Sequence, residues 1–202
     1  MNLEPFEPCT LKLNSGILGG TFDPVHTGHV QIAESFLNSG VIDRLLVLPA
    51  PSPPHKQNQE RRSFQDRLNM LQIAFQDIER VEVSDIEQQL PEPSYTISTI
   101  NYLQNSFPDQ NWYLCFGGDT LATFHKWYRY QEILKHVTLL VAERPGYDSS
   151  SIKPEILEKT IIVDHEPVDV SSTDIRDSVR IDGKNLHVPS GVWEYIREKG
   201  LY

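Results

Sequence analysis

The stretch Gly19-Gly20-Thr21-Phe22-Asp23-Pro24-Val25-His26-Thr27-Gly28-His29 decides how the rest of the chain is read. The apolar pair Ile17-Leu18 precedes it, and a helix-like pattern of Val30, Ala33 and Leu37 follows, stopping near Gly40. That is the layout of a phosphate-handling turn between the first strand and first helix of an α/β domain. A glycine pair lets another molecule approach the backbone with no Cβ in the way. A helix beginning near Thr27 aims its unpaired N–H groups and the positive end of its dipole at the same place. Two imidazoles at that helix entrance are suited to bonding polyphosphate oxygens as charge shifts during a reaction. His26 and His29 are poor candidates for a metal pair, because no Cys or carboxylate pair stands at ligand spacing.

Outward from this turn, strand-like and helix-like runs alternate. Arg44–Leu48, Val81–Val83, Trp112–Phe116 and Thr138–Ala142 read as strands. Phe64, Leu68, Leu71, Phe75 and Ile78 form one apolar helical face, and Tyr95–Leu103 reads as a further helix. The alternation predicts an α/β fold: a single doubly wound domain with a mostly parallel sheet and helices on both faces. In such a fold, ligands sit beyond the carboxyl ends of the strands. Residues 1–12 read as an N-terminal extension and residues 13–202 as the domain. Pro49–Pro54 is the strongest break, and Asp148–Pro154 is expected to be a mobile loop.

A length of 202 residues suits one sizeable core. The formal net charge of −10 argues against sequence-independent binding to nucleic acid. No apolar run approaches the length of a membrane span, and Met1–Lys12 lacks the pattern of a secretion signal. Two cysteines, Cys9 and Cys115, fit a reduced cytoplasm better than a disulfide scaffold. The expectation is a cytoplasmic protein with neither a nucleic-acid nor a membrane partner. A polyphosphate site in so acidic a chain needs local positive charge, for which His26, His29, Lys56 and Arg176 are candidates.

A second segment, Val170-Ser171-Ser172-Thr173-Asp174-Ile175-Arg176, carries a strong helix-start signal, with Ser or Thr as cap and Asp174 in the first turn. Alone, it reads as a capped surface helix. Its arginine nonetheless offers a permanently charged fork that matches phosphate oxygens.

Together the two segments resemble the signatures of the HxGH nucleotidyltransferases, in which an ISSTxIR-type motif binds the β- and γ-phosphates of ATP. Val170 stands here for the leading Ile. Class I aminoacyl-tRNA synthetases share a related histidine motif, but they are much longer and carry a KMSKS loop that this chain lacks. Further segments narrow the resemblance: Pro53-Pro54-His55-Lys56, Ser94-Tyr95-Thr96, Gly117–Leu121, Trp127-Tyr128 and Glu143–Tyr147. In this order and spacing they look like the bacterial nicotinate-nucleotide adenylyltransferases, over roughly Gly16 to the last residue. One departure is Gly118-Asp119-Thr120, where the family more often has a small or apolar residue before Asp and Ser after it.

The resemblance implies a Rossmann-like fold and an enzyme joining the adenylyl group of ATP to nicotinate mononucleotide, with Mg2+ bound mainly through the ATP phosphates. It implies that His26 and His29 contact oxygens around the α-phosphorus, and that Arg176 holds the leaving pyrophosphate. Gly19, Gly20, Thr21 and Phe22, with Ser172 and Thr173, would cradle the phosphates, and Gly118 and Asp119 would contact the adenosine. Trp127 and Tyr128 would stack on the pyridine ring, although on sequence alone they read equally as packing aromatics. Backbone near Tyr95, Thr96 and Arg144 would read the nicotinate carboxylate. Lys56 and His55 would close over phosphate or remain solvated, and Asp23 would either bind metal or brace the turn before Pro24. Remaining alternatives are a nicotinamide mononucleotide or pantetheine-phosphate adenylyltransferase, and a non-catalytic nucleotide-binding regulator.

Overall fold

Apolar residues on the strands face alternately two cores, and this period of two fixes the layering. Ile17, Leu114 and Leu139 enter one core, while their neighbours Leu18, Cys115 and Leu140 enter the other. The structure, a computed structural model, describes residues 12–53, 61–144, 146, 148–182 and 187–202. Six strands form one sheet: β1 (Leu13–Gly20), β2 (Arg44–Pro49), β3 (Val81–Val83), β4 (Gln110–Gly117), β5 (Thr138–Glu143) and β6 (Thr160–Asp164). Their order is β3-β2-β1-β4-β5-β6, and every pairing is parallel. Ile17 of β1 lies opposite Leu46 on one side and Leu114 on the other.

Eight helices accompany the sheet among the described residues: α1 (Thr27–Asn38), α2 (Phe64–Phe75), α3 (Thr96–Ser106), α4 (Gly118–Thr123), α5 (Tyr130–His136), α6 (Pro154–Leu157), α7 (Ser172–Asp182) and α8 (Ser190–Lys199). One core gathers Phe36, Met70, Leu71, Val192 and Ile196 from α1, α2 and α8. The opposite core gathers Ile100, Leu103, Leu121 and Ile133 from α3, α4 and α5. Full burial of such a side chain stabilises the fold by roughly 1.5–3 kcal/mol. Gly16 is needed within β1 because a Cβ there would meet Ile42, Leu45 and Cys115 at 2.7–2.9 Å.

The chain leaves β1 toward β2 and β3 and returns through β4 toward β5 and β6. The winding therefore reverses between β1 and β4, and their carboxyl ends flank the crevice where doubly wound folds bind ligands. The α/β expectation holds, and the sheet is wholly parallel among the described strands. Strand β6 escapes sequence reading because it is an edge. Its Ile161 and Ile162 are 38% and 43% exposed, so it lacks the buried run that marked the others. Within Asp148–Pro154, the stretch expected to be a mobile loop, Ile152 is buried and its N–H donates to the Ser149 carbonyl at 2.9 Å. Among the described residues no helix is long and apolar enough to cross a membrane.

Candidate active site

The turn after β1 is held in a shape that few sequences would accept. Phe22 is buried with φ of 51°, the left-handed region that a bulky side chain rarely enters. Its ring lies where a Cβ on Gly20 would be, 2.8 Å away, and meets the His29 ring edge-on at a centroid distance of 4.9 Å. The Asp23–Pro24 peptide is cis. Asp23 is buried and accepts from the Tyr202 hydroxyl at 2.6 Å and from the Arg62 N–H at 3.4 Å. Of the two readings offered for Asp23, bracing the turn is the one these partners favour.

Helix α1 then starts with His26 as its cap residue in extended conformation. The His26 N–H donates to His29 Nδ1 at 3.2 Å, and the two rings sit 3.7 Å apart. With Nδ1 accepting, a neutral His29 carries its proton on Nε2, so this ring presents an N–H donor. Burial, and secondarily the charge of His187, hold the His26 imidazole down at about 4. His26 is therefore neutral near pH 7, which corrects its assignment to a positively charged patch. Among the described residues its buried Nδ1 has no hydrogen-bond partner. Gly28 explains its own place in the motif: a Cβ there would meet His26 Nδ1 at 3.1 Å and Val170 Cγ1 at 3.2 Å.

Val170 belongs to the second signature, and the two signatures are hydrogen-bonded together. The Ser172 hydroxyl donates to the Pro24 carbonyl at 2.9 Å, and Arg176 Nη1 donates to the Asp23 carbonyl at 2.8 Å. Arg176 Nη2 also donates to Thr173 Oγ1 at 3.1 Å. Ser171 caps α7 by accepting from the Asp174 N–H at 3.2 Å. Arg67, which sequence reading passed over, fixes the other side of the turn. Fully buried, it donates through Nη1 to the carbonyls of Thr21 at 2.6 Å and Ala50 at 3.0 Å, and through Nε to that of Arg62 at 3.3 Å.

A cavity of about 530 Å³ opens beside this junction, at the carboxyl ends of β1 and β4. Gly19, Gly20 and Thr21 line it, as do Tyr95, Thr96, Trp127 and Tyr128. Trp127 also packs against Phe124, with centroids 5.3 Å apart, so its packing role is real. Tyr128 is 55% exposed and lies 4.4 Å from the Tyr95 ring. Helix α3 enters this cavity with Thr96 as its first residue and without a side-chain cap. The Thr96 and Ile97 N–H groups precede any intrahelical carbonyl, while the Ser98 N–H donates to the Tyr95 carbonyl at 2.9 Å. Glu87 lines the same cavity, and burial pushes its carboxyl up to about 7 against the opposing pull of the Thr99 hydroxyl, 2.7 Å away.

A model of the family described as cytidylyltransferase-like matches residues 17–178. A protein of Synechococcus sp. named "Probable nicotinate-nucleotide adenylyltransferase" is 38% identical over 99% of both chains. One of the same name from Flavobacterium johnsoniae is 34% identical over 93% of this chain and 97% of its own. The chain belongs to the nicotinate-nucleotide adenylyltransferase family. The fold agrees with that of a Plasmodium falciparum nicotinic acid mononucleotide adenylyltransferase complexed with NaAD, at a TM-score of 0.75 and 18% identity, covering 94% of this chain and 97% of that one.

The remaining positions singled out in the sequence have these surroundings. Arg144 is exposed and outside the cavity lining, and its N–H is taken by Glu143 Oε1 at 2.8 Å. The Tyr95 N–H is likewise occupied, by the Pro93 carbonyl at 2.7 Å. Gly118 is buried at the start of α4, where a Cβ would land on the Glu143 carboxylate, and Asp119 beside it is exposed. His55 and Lys56 lie outside the described residues.

Proposed function

We infer that this chain transfers the adenylyl group of ATP to nicotinate mononucleotide, releasing pyrophosphate and forming nicotinate adenine dinucleotide. One observation carries the reading: two signature segments, far apart in sequence, are hydrogen-bonded to each other beside an aromatic-lined cavity. In the reaction, a phosphate oxygen of nicotinate mononucleotide attacks the α-phosphorus of ATP. A new P–O bond forms as the bond to the β-phosphate oxygen breaks, and pyrophosphate departs with the electron pair. No covalent enzyme intermediate is needed, so positioning and charge stabilisation account for the rate.

In this reading His29 donates to an α-phosphate oxygen, and neutral His26 orients it through the N–H to Nδ1 bond. Arg176 and the start of α7, with Ser172 and Thr173, hold the pyrophosphate end. Gly19, Gly20, Thr21 and Phe22 shape the cradle, and Gly118 and Asp119 stand toward the adenosine. Trp127 and Tyr128 stack on the pyridine ring, while the first N–H groups of α3, at Thr96, bond the nicotinate carboxylate.

Among the described residues no group of three or more His, Cys, Asp or Glu could hold a metal ion, and Asp23 is committed to Tyr202 and Arg62. Mg2+ carried chiefly by the nucleotide phosphates would neutralise their charge during the transfer. A pyrophosphate-release assay with ATP and Mg2+ tests the reading, with nicotinate mononucleotide, nicotinamide mononucleotide, phosphopantetheine or no acceptor. Release dependent on nicotinate mononucleotide is expected. Equal release with another acceptor, or none with any, overturns it.

A further inference from the structure

We propose that Glu87 is a specificity-determining residue of this site, whose carboxyl selects between the acid and the amide forms of the pyridine mononucleotide. The inference rests on the adenylyl-transfer reading, which places the pyridine ring in the aromatic-lined cavity. Glu87 lies on the short 3-10 helix Ile86–Gln89 and lines that cavity together with Thr96, Thr99 and Ile100 of α3. Residues three and four apart share one helical face, so these three mark the face that α3 turns to the cavity. Thr96 is half-buried and Thr99 is 2% exposed, so this face runs inward from the helix start. The Thr99 hydroxyl donates to Glu87 Oε1 at 2.7 Å. The residue that holds the carboxyl thus stands about 4.5 Å along the helix axis from Thr96, whose N–H bonds the nicotinate carboxylate in this reading.

What this carboxyl offers a ligand depends on its proton. With Oε1 accepting from Thr99, a neutral Glu87 carries the proton on Oε2 and is a donor there. Ionised, the same oxygen is an acceptor. A carboxylate on the pyridine ring only accepts, and it bears a charge. A carboxamide has an NH2 to donate and bears none. Neutral Glu87 therefore suits the acid, whereas ionised Glu87 repels it and suits the amide. Burial raises the exchange between the two states to about 7, so both are populated near neutrality.

The neighbours of Glu87 leave this role to it. Among the described residues it is the one carboxyl lining the cavity, where the other ionisable side chains are Tyr95, Cys115, Lys126 and Tyr128. Those side-chain types ionise in water from about pH 8.5 upward, and burial pushes the Cys115 thiol further up. Of the elements packed against Glu87, β2 carries Arg44, which donates to Ser15 Oγ and Gln110 Oε1 at the amino end of the strand. Helix α3 carries Tyr102, which is 37% exposed.

The test is the ratio of kcat/KM for nicotinate mononucleotide to that for nicotinamide mononucleotide, each with ATP and Mg2+, across about pH 6 to 8.5. Both acceptors carry the same 5′-phosphate, so its titration cancels in the ratio. The ratio should fall by about tenfold or more as Glu87 ionises. Glu87→Gln keeps an acceptor for Thr99 and adds a permanent donor beside it, so its ratio should stay flat and favour the acid. A parent ratio constant to within about twofold, or an equal fall in a Glu87→Gln chain shown to be folded by circular dichroism, overturns the proposal. Calorimetry of mononucleotide binding to the parent chain, at about pH 8 in two buffers of different ionisation heat, needs no variant. Nicotinate mononucleotide should take up about one proton more than nicotinamide mononucleotide, and equal uptake overturns the proposal. Pyrophosphate release with neither acceptor overturns the adenylyl-transfer reading instead, and the difference in proton uptake then decides for or against Glu87.

Discussion

Arg176 reaches across 153 positions of sequence to donate from Nη1 to the backbone carbonyl of Asp23, three residues before His26. The Arg176 guanidinium is therefore tied directly to the histidine turn. Arg176→Ala should lower kcat/KM for ATP by about 10²–10³, the scale of losing a preorganised charge stabiliser. Arg176→Lys should recover less than half of that loss on a logarithmic scale, since an ammonium cannot bridge a carbonyl and a phosphate as a planar fork can. Steady-state kinetics over a range of ATP concentrations decide it, and full rescue by lysine would show that charge alone matters.

His29→Ala should reduce kcat by roughly 10²–10⁴ with the fold intact. Near-normal turnover of a folded variant would remove this ring from the mechanism. His26 is held at about 4, so it should leave no inflection in kcat/KM between pH 6 and pH 9. An inflection in that range that disappears in His26→Asn would contradict the neutral state described above.

Two buried groups should tilt stability against pH in opposite directions. His26 has its imidazole lowered from 6.5 to about 4, so the unfolded chain binds more protons in that window. Its contribution is complete above pH 6.5 and is lost as pH falls toward 4. Glu87 is raised from 4.5 to about 7, so the native chain binds more protons there. Its contribution is complete below pH 4.5 and is lost as pH rises through 7. The slopes oppose each other between pH 4.5 and pH 6.5. Thermal melts of Glu87→Gln should show stability rising with pH across that interval relative to the parent, and melts of His26→Asn should show it falling. Parallel curves for all three proteins would refute both assignments.

Arg67→Met removes the donor that three backbone carbonyls share from the loops after β1 and β2 and the entry to α2. Burying acceptors without partners costs about 1–3 kcal/mol each, so a loss of at least about 2 kcal/mol is expected by urea unfolding. Because Thr21 is one of those acceptors, KM for ATP should rise as well. Stability within 0.5 kcal/mol (roughly the noise of a surface change) would mean that the loops hold themselves.

What the sequence disclosed was whatever it kept contiguous. The Gly19–His29 turn and the Val170–Arg176 helix start each carry their chemistry within a dozen residues, and buried strands announce themselves as apolar runs. Arg67, Tyr202 and Arg62 were opaque, because their meaning depends on neighbours contributed by distant segments. Nothing in a lone arginine before Leu68 says that it will be buried among carbonyls. Arg144 is a different case: its motif was legible, but that Glu143 Oε1 accepts from its backbone N–H was not. The protonation of His26 was also out of reach, since burial decides it.

Glu143 has a longer reach than that one N–H. Its carboxylate occupies the space a Cβ at position 118 would need, so any side chain there obliges the Glu143 carboxylate to swing aside. Grafting a relative's β4–α4 corner onto this chain, with alanine at 118, would move the Glu143 carboxylate off the Arg144 N–H that it now holds. A library that varies position 118 therefore perturbs the backbone of the β5 exit as well, through a residue 25 positions away.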